Sequence, residues 1–424
     1  MMTWKNCDQR KHVAPIRVLV VGINFSPEMT GIAPYTTAIS EHLAEQGHTV
    51  TVITSYPHYP QWVKQKPIEQ VSPIFPAGRL SIKRVNHYVP RRPTMIKRIA
   101  MELTFGLRVM VSRWNRPDVV VSVSPSLIGT GMVSLRNCLR SPGNRRPLGV
   151  WVQDLYSSGM TETGMSGSTG SSVAKLLESA ILRSATKILV IHERFSDILV
   201  NDLACSRDRI AVVRNWTHVR NSGGSDITEY RKELGWEPTD LIVLHAGNMG
   251  MKQGLENLVR AASVSLDRKL DKVKFVLVGD GGEREKLELM AAGLTNIAFV
   301  NPVSDAKFMT MLRSADMLVV NEREGVREMA VPSKLTSYFS SGRPVICASD
   351  PESVTTREVS ISGGGICVPA GAPELLVDGV MRLQGDRDLA ENLGTAGLAY
   401  SVRVLSAERA ISDIQTWVES LSRG

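Results

Sequence analysis

Short runs of apolar, β-branched residues recur along the chain and alternate with helix-length amphipathic segments. In the first half the runs are Ile16–Gly22, Val50–Thr54, Val119–Ser124, Leu148–Gln153, Ile188–Ile191 and Ile210–Val213. They are continuous rather than alternating, as expected of parallel strands covered by helices on both faces. A polar stretch, Asn221–Asp226, reads as a linker. The pattern then restarts with Leu241–Ala246, Lys274–Gly279, Ile297–Val300, Met317–Asn321, Pro344–Ala348 and Gly365–Val368. Two successive β/α series predict an α/β chain of two doubly wound, Rossmann-like domains, each presenting its strand C-termini to a crevice. The expected division is a polar tail over 1–15, a first domain over 16–220, a linker at 221–226, a second domain over 227–395 and a helical segment over 396–424. In that last segment Ile411, Ile414, Trp417, Val418 and Leu421 share one helical stripe.

Composition narrows the partners. The 424 residues carry a net charge of +8, unevenly placed. Residues 1–212 hold 26 Lys/Arg against 14 Asp/Glu, whereas 213–424 hold 24 against 28. Arg79–Arg146 alone has 14 basic residues and, as acids, only Glu102 and Asp118, so an anionic partner is expected there. Within it Ile96, Ile99, Ala100, Leu103, Leu107, Met110 and Trp114 form a helical stripe, expected first as a core-facing surface and second as a membrane face. Nucleic acid is not an expected partner, because the basic segment holds no recognition motif and few aromatics. The N-terminus lacks the apolar stretch of a signal peptide, no run is long enough for a spanning helix, and five scattered cysteines fit a reducing compartment. Cys347 and Cys367, each inside an apolar run, are expected to be small buried hydrophobes.

Candidate chemistry sits at strand–glycine–helix junctions, where helix N-termini offer unpaired N–H groups to phosphate. His245–Gly254 with Lys252, Gly279-Asp280-Gly281-Gly282, and Pro332-Ser333-Lys334 are three such junctions in the second half. Together they point to a diphosphate ligand. Neither GxGxxG after the first strand nor GxxxxGK[ST] is present, so a dinucleotide fingerprint and a P-loop are both unsupported. The one Asp-x-Asp match, Asp386-Arg387-Asp388, reads as a helix start, and neither metal nor cofactor is expected.

The ordered set SPEMTG (26–31), EHLAEQGHTVTVIT (41–54), VQDLY (152–156), VVRNW (212–216), LHAGNMGMKQGLE (244–256), LVGDGGERE (277–285) and PSKLTSYFSSGRPVI (332–346) resembles family 4 retaining glycosyltransferases of the GT-B fold. Within that family it is most similar to the colanic acid and exopolysaccharide branch. The resemblance spans roughly residues 16–421 and implies transfer of a sugar from a nucleotide-diphosphate sugar to a polyprenyl-diphosphate-linked saccharide, which the Asp-x-Asp reading above makes metal-independent. It also implies a final helix crossing back to the first domain, and a cytoplasmic, membrane-peripheral location, with the Arg79–Arg146 segment on the anionic surface. Residue by residue, it places Thr30 and Gly31 against the donor from the first domain and Asp154 on the acceptor side. Asn248 and Gln253 stand where many members have a diphosphate-binding Arg and its partner Lys, with Lys252 one residue away to supply the charge, and Gly279, Asp280, Gly281, Ser333, Lys334 and Ser337 fall at the donor's diphosphate and nucleoside. The family's paired glutamates are missing at their usual spacing: Ser337 stands where the second falls, and Met329 where the first does. Glu328 is therefore expected as the acid facing the donor sugar, with Glu324 in reserve. The competing readings are a nucleotide-sugar epimerase of the same fold and a non-catalytic sugar-nucleotide-binding or assembly protein. Gly/Ser-rich Ser157–Ser172, beside the cleft, is expected to be either inert surface or a mobile acceptor lid.

Overall fold

The computed structural model describes residues 14–28, 31–59, 61–65, 79–92, 94–124, 126–156, 168–216, 226–326 and 333–423. The first sheet contains β1 (Arg17–Val21), β2 (Thr49–Ser55), β3 (Leu80–Val85), β4 (Val119–Val123), β5 (Leu148–Val152), β6 (Lys187–Val190) and β7 (Ile210–Val212). All are parallel, in the order β3-β2-β1-β4-β5-β6-β7. Its helices are α1 (Ala33–Glu45), α2 (Met95–Val111), α3 (Leu127–Cys138), α4 (Ser168–Arg183) and α5 (Glu193–Asn201). The second unit has helices α6 (Ile227–Glu233), α7 (Glu256–Asp267), α8 (Arg284–Met290), α9 (Asp305–Ser314), α10 (Ser333–Ser341), α11 (Val354–Ser362), α12 (Pro373–Gly385) and α13 (Arg387–Val404). They wrap the parallel sheet β10-β9-β8-β11-β12-β13, made of β8 (Leu241–Ala246), β9 (Val273–Val278), β10 (Ile297–Val300), β11 (Met317–Asn321), β12 (Val345–Ala348) and β13 (Gly365–Val368). The chain closes with α14 (Ala407–Leu421). In each sheet the order reverses beside the first strand, between β1 and β4 and between β8 and β11, which opens a crevice at the strand C-termini.

Each central strand is buried on both faces because its residues serve two cores. Leu19 and Val21 of β1 pack with Met101, Phe105 and Val109 of α2, whereas Val18 and Val20 pack with Tyr35, Ile39 and Leu43 of α1. That second core is completed by α14, whose Ile414, Trp417, Val418 and Leu421 lie on β4 and β5. Gly149 makes this approach possible, since a Cβ there would stand 2.6 Å from the Trp417 ring. Polar ties fix the docking: His42 Nε2 meets Gln415 Oε1 at 2.8 Å, and Lys187 donates to Ser420 Oγ at 2.9 Å. The last helix thus belongs structurally to the first sheet.

Two expectations are corrected. Within α2 the stripe is turned away from the core: Met101, Phe105 and Val109 point inward, while Ile96, Leu103 and Leu107 are exposed, Ile96 by 76%; Trp114, beyond the helix end, is the stripe residue that does reach the core. Successive α2 residues turn about 100°, so these two apolar sets lie on opposite sides of the helix. Cys367 is likewise exposed rather than buried, because β13 is the edge of its sheet; Cys347, one strand inward, is buried as expected.

Candidate functional site

The cleft is assembled from loops at the C-terminal edges of both sheets. On the second-domain side, β8 ends at Ala246 and β9 at Val278, and the loops that follow lean on each other. Gly279 (φ +136°) allows this: a Cβ there would collide with the Gly247 carbonyl, and one at Gly281 would collide with that of Met249. Met249 N–H donates to the Asp280 carbonyl at 2.8 Å, and the Asp280 carboxylate accepts from Gly281 N–H. The Gln253 side chain accepts from Gly250 N–H at 3.1 Å, so it shapes its own loop. Asn248 and Lys252 are exposed beside it.

Lys334, in the first turn of α10, crosses over Gly247 and donates to His245 Nε2 at 3.1 Å. His245 Nδ1 lies 3.0 Å from the Val319 carbonyl, so its proton sits on Nδ1 and Nε2 accepts. Burial, then the neighbouring Lys334 charge, hold His245 well below the usual imidazole range. Burial also lowers Lys334 to about 7, against a raising influence from Glu322. A lysine so placed, beside a glycine loop and a helix N-terminus, can take an anion. Ser337 is buried one turn further along α10. Glu324 is exposed, its carboxylate laid over Gly371.

Facing these groups from the first domain is Asp154, just beyond β5. Burial pushes its carboxyl up to about 6, and Lys252 from the opposite domain pulls the other way. Lys252 and Asp154 thus lie within electrostatic reach of each other across the cleft. Tyr59 senses both Asp154 and Arg98 and packs near Gly31 (φ +67°). Glu28 is buried beneath, accepting from the backbone N–H groups of His58 (2.7 Å) and Tyr59 (2.9 Å). The structure therefore brings together Gly31, Asp154, Asn248, Lys252, Gly279, Asp280, Gly281, Lys334 and Ser337, around the cleft or in its supporting loops. Thr30, Glu328 and Pro332 lie outside the described residues, as do 157–167 of the glycine-rich segment and 221–225 of the linker; Ser333 is described in backbone only. Asp386 accepts from Leu389 N–H as the cap of α13, the helix start expected of it.

Three groups escaped the sequence reading. His245 orients Lys334, yet 89 residues separate them. Arg98 stacks over Trp62 (5.1 Å) at the first-domain rim. The third group is a buried carboxylate, Glu358 of α11, at the junction of the domains. It receives His192 Nε2 (3.1 Å), Arg214 Nε (3.1 Å) and Tyr400 Oη (2.7 Å). His192 Nδ1 accepts from Arg194 N–H, which leaves Nε2–H to donate. Burial pushes Glu358 up, but these donors outweigh it and hold the carboxyl below its usual range.

Comparison with known proteins follows the same two-part division. Residues 226–399 match the family described as glycosyl transferases group 1, and residues 30–216 match the glycosyl transferase 4-like domain. The chain is 30% identical over 418 residues to WcaI of Escherichia coli (strain K12), a glycosyl transferase named for colanic acid biosynthesis; the match covers 93% of this chain and 98% of WcaI. Sucrose-phosphate synthase from Thermosynechococcus elongatus superposes with a TM-score of 0.72 at 15% identity, over 96% of this chain and 99% of that one. Anabaena HepE, solved in complex with UDP-glucose, gives 0.67 at 13% identity, over 96% and 100%.

Proposed function

The chain belongs to the family 4 glycosyltransferases of the GT-B fold, near the colanic acid branch, and on that premise we propose that it extends an exopolysaccharide repeat unit with retention at the anomeric carbon. Its donor is a nucleotide-diphosphate sugar and its acceptor a polyprenyl-diphosphate-linked saccharide at the cytoplasmic face of the membrane. One observation carries the reading: Lys334 and the interlocked glycine loops stand on one wall of a cleft whose other wall holds Asp154.

Breaking the bond between the anomeric carbon and a diphosphate puts negative charge on the leaving oxygen and positive charge on the ring. Lys334 and the first N–H groups of α10 stabilise the first, in the manner of an oxyanion hole. Asp154, ionised above about pH 6, accepts a hydrogen bond from the acceptor hydroxyl and orients it; retention has that hydroxyl attack from the face the diphosphate leaves, and the departing phosphate oxygen takes its proton. Lys252 supplies a second charge at the diphosphate, while Gln253 supports the loop. Glu328 remains our assignment for the acid facing the donor sugar.

The surface supports a membrane-bound acceptor. Apolar side chains stand exposed on three neighbouring helices: Ile96, Leu103 and Leu107 on α2, Leu135 on α3, Leu176 and Leu177 on α4. Lys97, Arg108 and Arg113 are exposed around them. Basic residues each gain about 1 kcal/mol near anionic lipid, and the apolar patch adds burial that salt does not screen. Among the described residues no helix is long and apolar enough to cross a membrane. The deciding experiment follows nucleoside-diphosphate release with and without lipid-linked acceptor. Release that requires acceptor supports transfer, whereas acceptor-independent turnover indicates an epimerase and no release a binding protein. Activity that survives EDTA supports the metal-independent mechanism.

A further inference from the structure

Two thiols face each other on neighbouring strands of the second sheet, near their C-terminal ends. β12 and β13 run parallel with Cys347 opposite Cys367, so both side chains leave the same face, the one α11 covers. Neighbouring strands lie about 4.8 Å apart, inside the roughly 4.4–6.8 Å between Cα atoms that a disulfide spans. The two thiols differ in their surroundings. Cys347 is fully buried with Ser349 Oγ at 3.0 Å, whereas Cys367 is exposed and reaches the Thr356 carbonyl at 3.9 Å. The neighbouring Cys347 thiol, with help from Ser360 and Thr356, holds Cys367 below the usual thiol range, while Cys367 and burial push Cys347 up. The result is one accessible, acidic thiol backed by a protonated partner, the arrangement that reacts and then resolves.

We propose that Cys347 and Cys367 form a vicinal-dithiol modification site, closed to a disulfide by peroxides and bridged by trivalent arsenicals. The Cys367 thiolate attacks the peroxide: an S–O bond forms, the O–O bond breaks, and the departing hydroxide takes a proton to become water. Cys347 sulfur then attacks the sulfenic sulfur, an S–S bond forms, and the second hydroxide leaves with the Cys347 proton as water. In sum, two thiols and one hydrogen peroxide give one disulfide and two waters, with two electrons passing from sulfur to oxygen. A pair of external thiols reverses the step by exchange. The site adjoins the base of α11, where Thr356 Oγ1 meets Ser349 Oγ at 2.6 Å and Thr355 donates to Glu322 Oε1 at 2.6 Å. Closing the bond therefore acts on the helix that carries Glu358.

The test uses the full chain with Cys7→Ser and Cys138→Ser, so that buried Cys205 is the one thiol left beside the pair. A few equivalents of hydrogen peroxide, a maleimide quench and peptide mapping should show two thiols lost together as one Cys347–Cys367 cross-link. In the Cys347→Ser variant, Cys367 should stop at the sulfenic acid and take up dimedone. Oxidation of Cys367 in the parent with Cys347 still free, or a cross-link that forms only in urea, overturns the proposal. Phenylarsine oxide provides a second reading without oxidation: two As–S bonds form while the arsenic-bound oxygen leaves as water with both thiol protons, so it should bind the native parent one to one and at least tenfold more weakly after either Cys→Ser change. Failure of the parent to bind it also overturns the site, even if the serine variants do not fold. None of these measurements involves sugar transfer, so they stand or fall separately from the proposed activity.

Discussion

Lys334 offers the sharpest test of the donor site, because its protonation should follow the ligand. Burial lowers it from 10.5 to about 7, so at pH 8 only about one-tenth of the free protein carries the charge. A diphosphate placed beside Nζ favours the ammonium, and binding at pH 8 should take up about 0.9 proton; at pH 6 the lysine is already charged and uptake should vanish. Isothermal titration with UDP and GDP in two buffers of different ionisation enthalpy reads this directly. The same shift has a cost in the free protein. At 1.36 kcal/mol per unit, 3.5 units correspond to a ceiling of about 5 kcal/mol against folding with the charged form. Between pH 7 and 10.5 the unfolded chain binds more protons than the folded one, so Lys334 makes stability rise with pH across that window. Lys334→Met should therefore stabilise the unliganded protein by a few kcal/mol at pH 7, flatten the window, abolish proton uptake and reduce kcat by 100-fold or more. Equal proton uptake in the methionine variant, or unchanged turnover, would refute the assignment.

Asp154→Asn should cost 100-fold or more in kcat. In the parent, kcat should fall as pH drops through about 6, where the carboxylate gains its proton, and that limb should be absent from the variant. Glu358→Gln leaves Arg214 and His192 with a weaker acceptor at the domain junction. Breaking a buried pair is worth about 3–5 kcal/mol, so a Tm decrease and a wider cleft by small-angle scattering are expected. Because the folded-state pKa of Glu358 is depressed, its contribution is present above about 4.5 and is lost as pH falls through the lower folded value. Leu103→Glu with Leu107→Glu should abolish flotation with anionic vesicles at low salt while leaving thermal stability unchanged, since both side chains are exposed; unchanged flotation would remove the membrane face. Trp417→Ala should lose about 3–5 kcal/mol in denaturant titration, with the first domain melting earliest.

The architecture was legible because each central strand is buried on both faces and so spells a continuous apolar run. β1, β4, β5, β8 and β11 fall where those runs stand. Helix α2 shows the limit of that reading. Both of its long sides are apolar, so periodicity finds a stripe without telling which one meets the sheet; Phe105 decides it by packing on His87 and the first core. Lys334 could be singled out at a helix start, whereas its orienting His245 could not, because only the register of β8 against β11 brings them together. Glu358 and its donors lie 144 and 166 residues apart, and no local pattern marks them. Cys367 misled for a related reason: an apolar run on a sheet edge looks like one in its centre.

The place of Trp417 in the first core has a consequence for synthesis. The chain leaves β7 at Val212, yet the residues that cover β4 and β5 on the α1 face arrive only with Ala410–Leu421. At about 5–20 residues per second, some 200 residues of intervening chain take roughly 10–40 s to emerge. Through that interval the nascent first domain carries an open apolar strip over Gly149 and Trp151, so the second domain can finish folding before the first. A ribosome-stalling series should show this as a late, single step in protease resistance, placed after Leu421 has cleared the exit tunnel. The N-terminal half of this enzyme is the last part to mature.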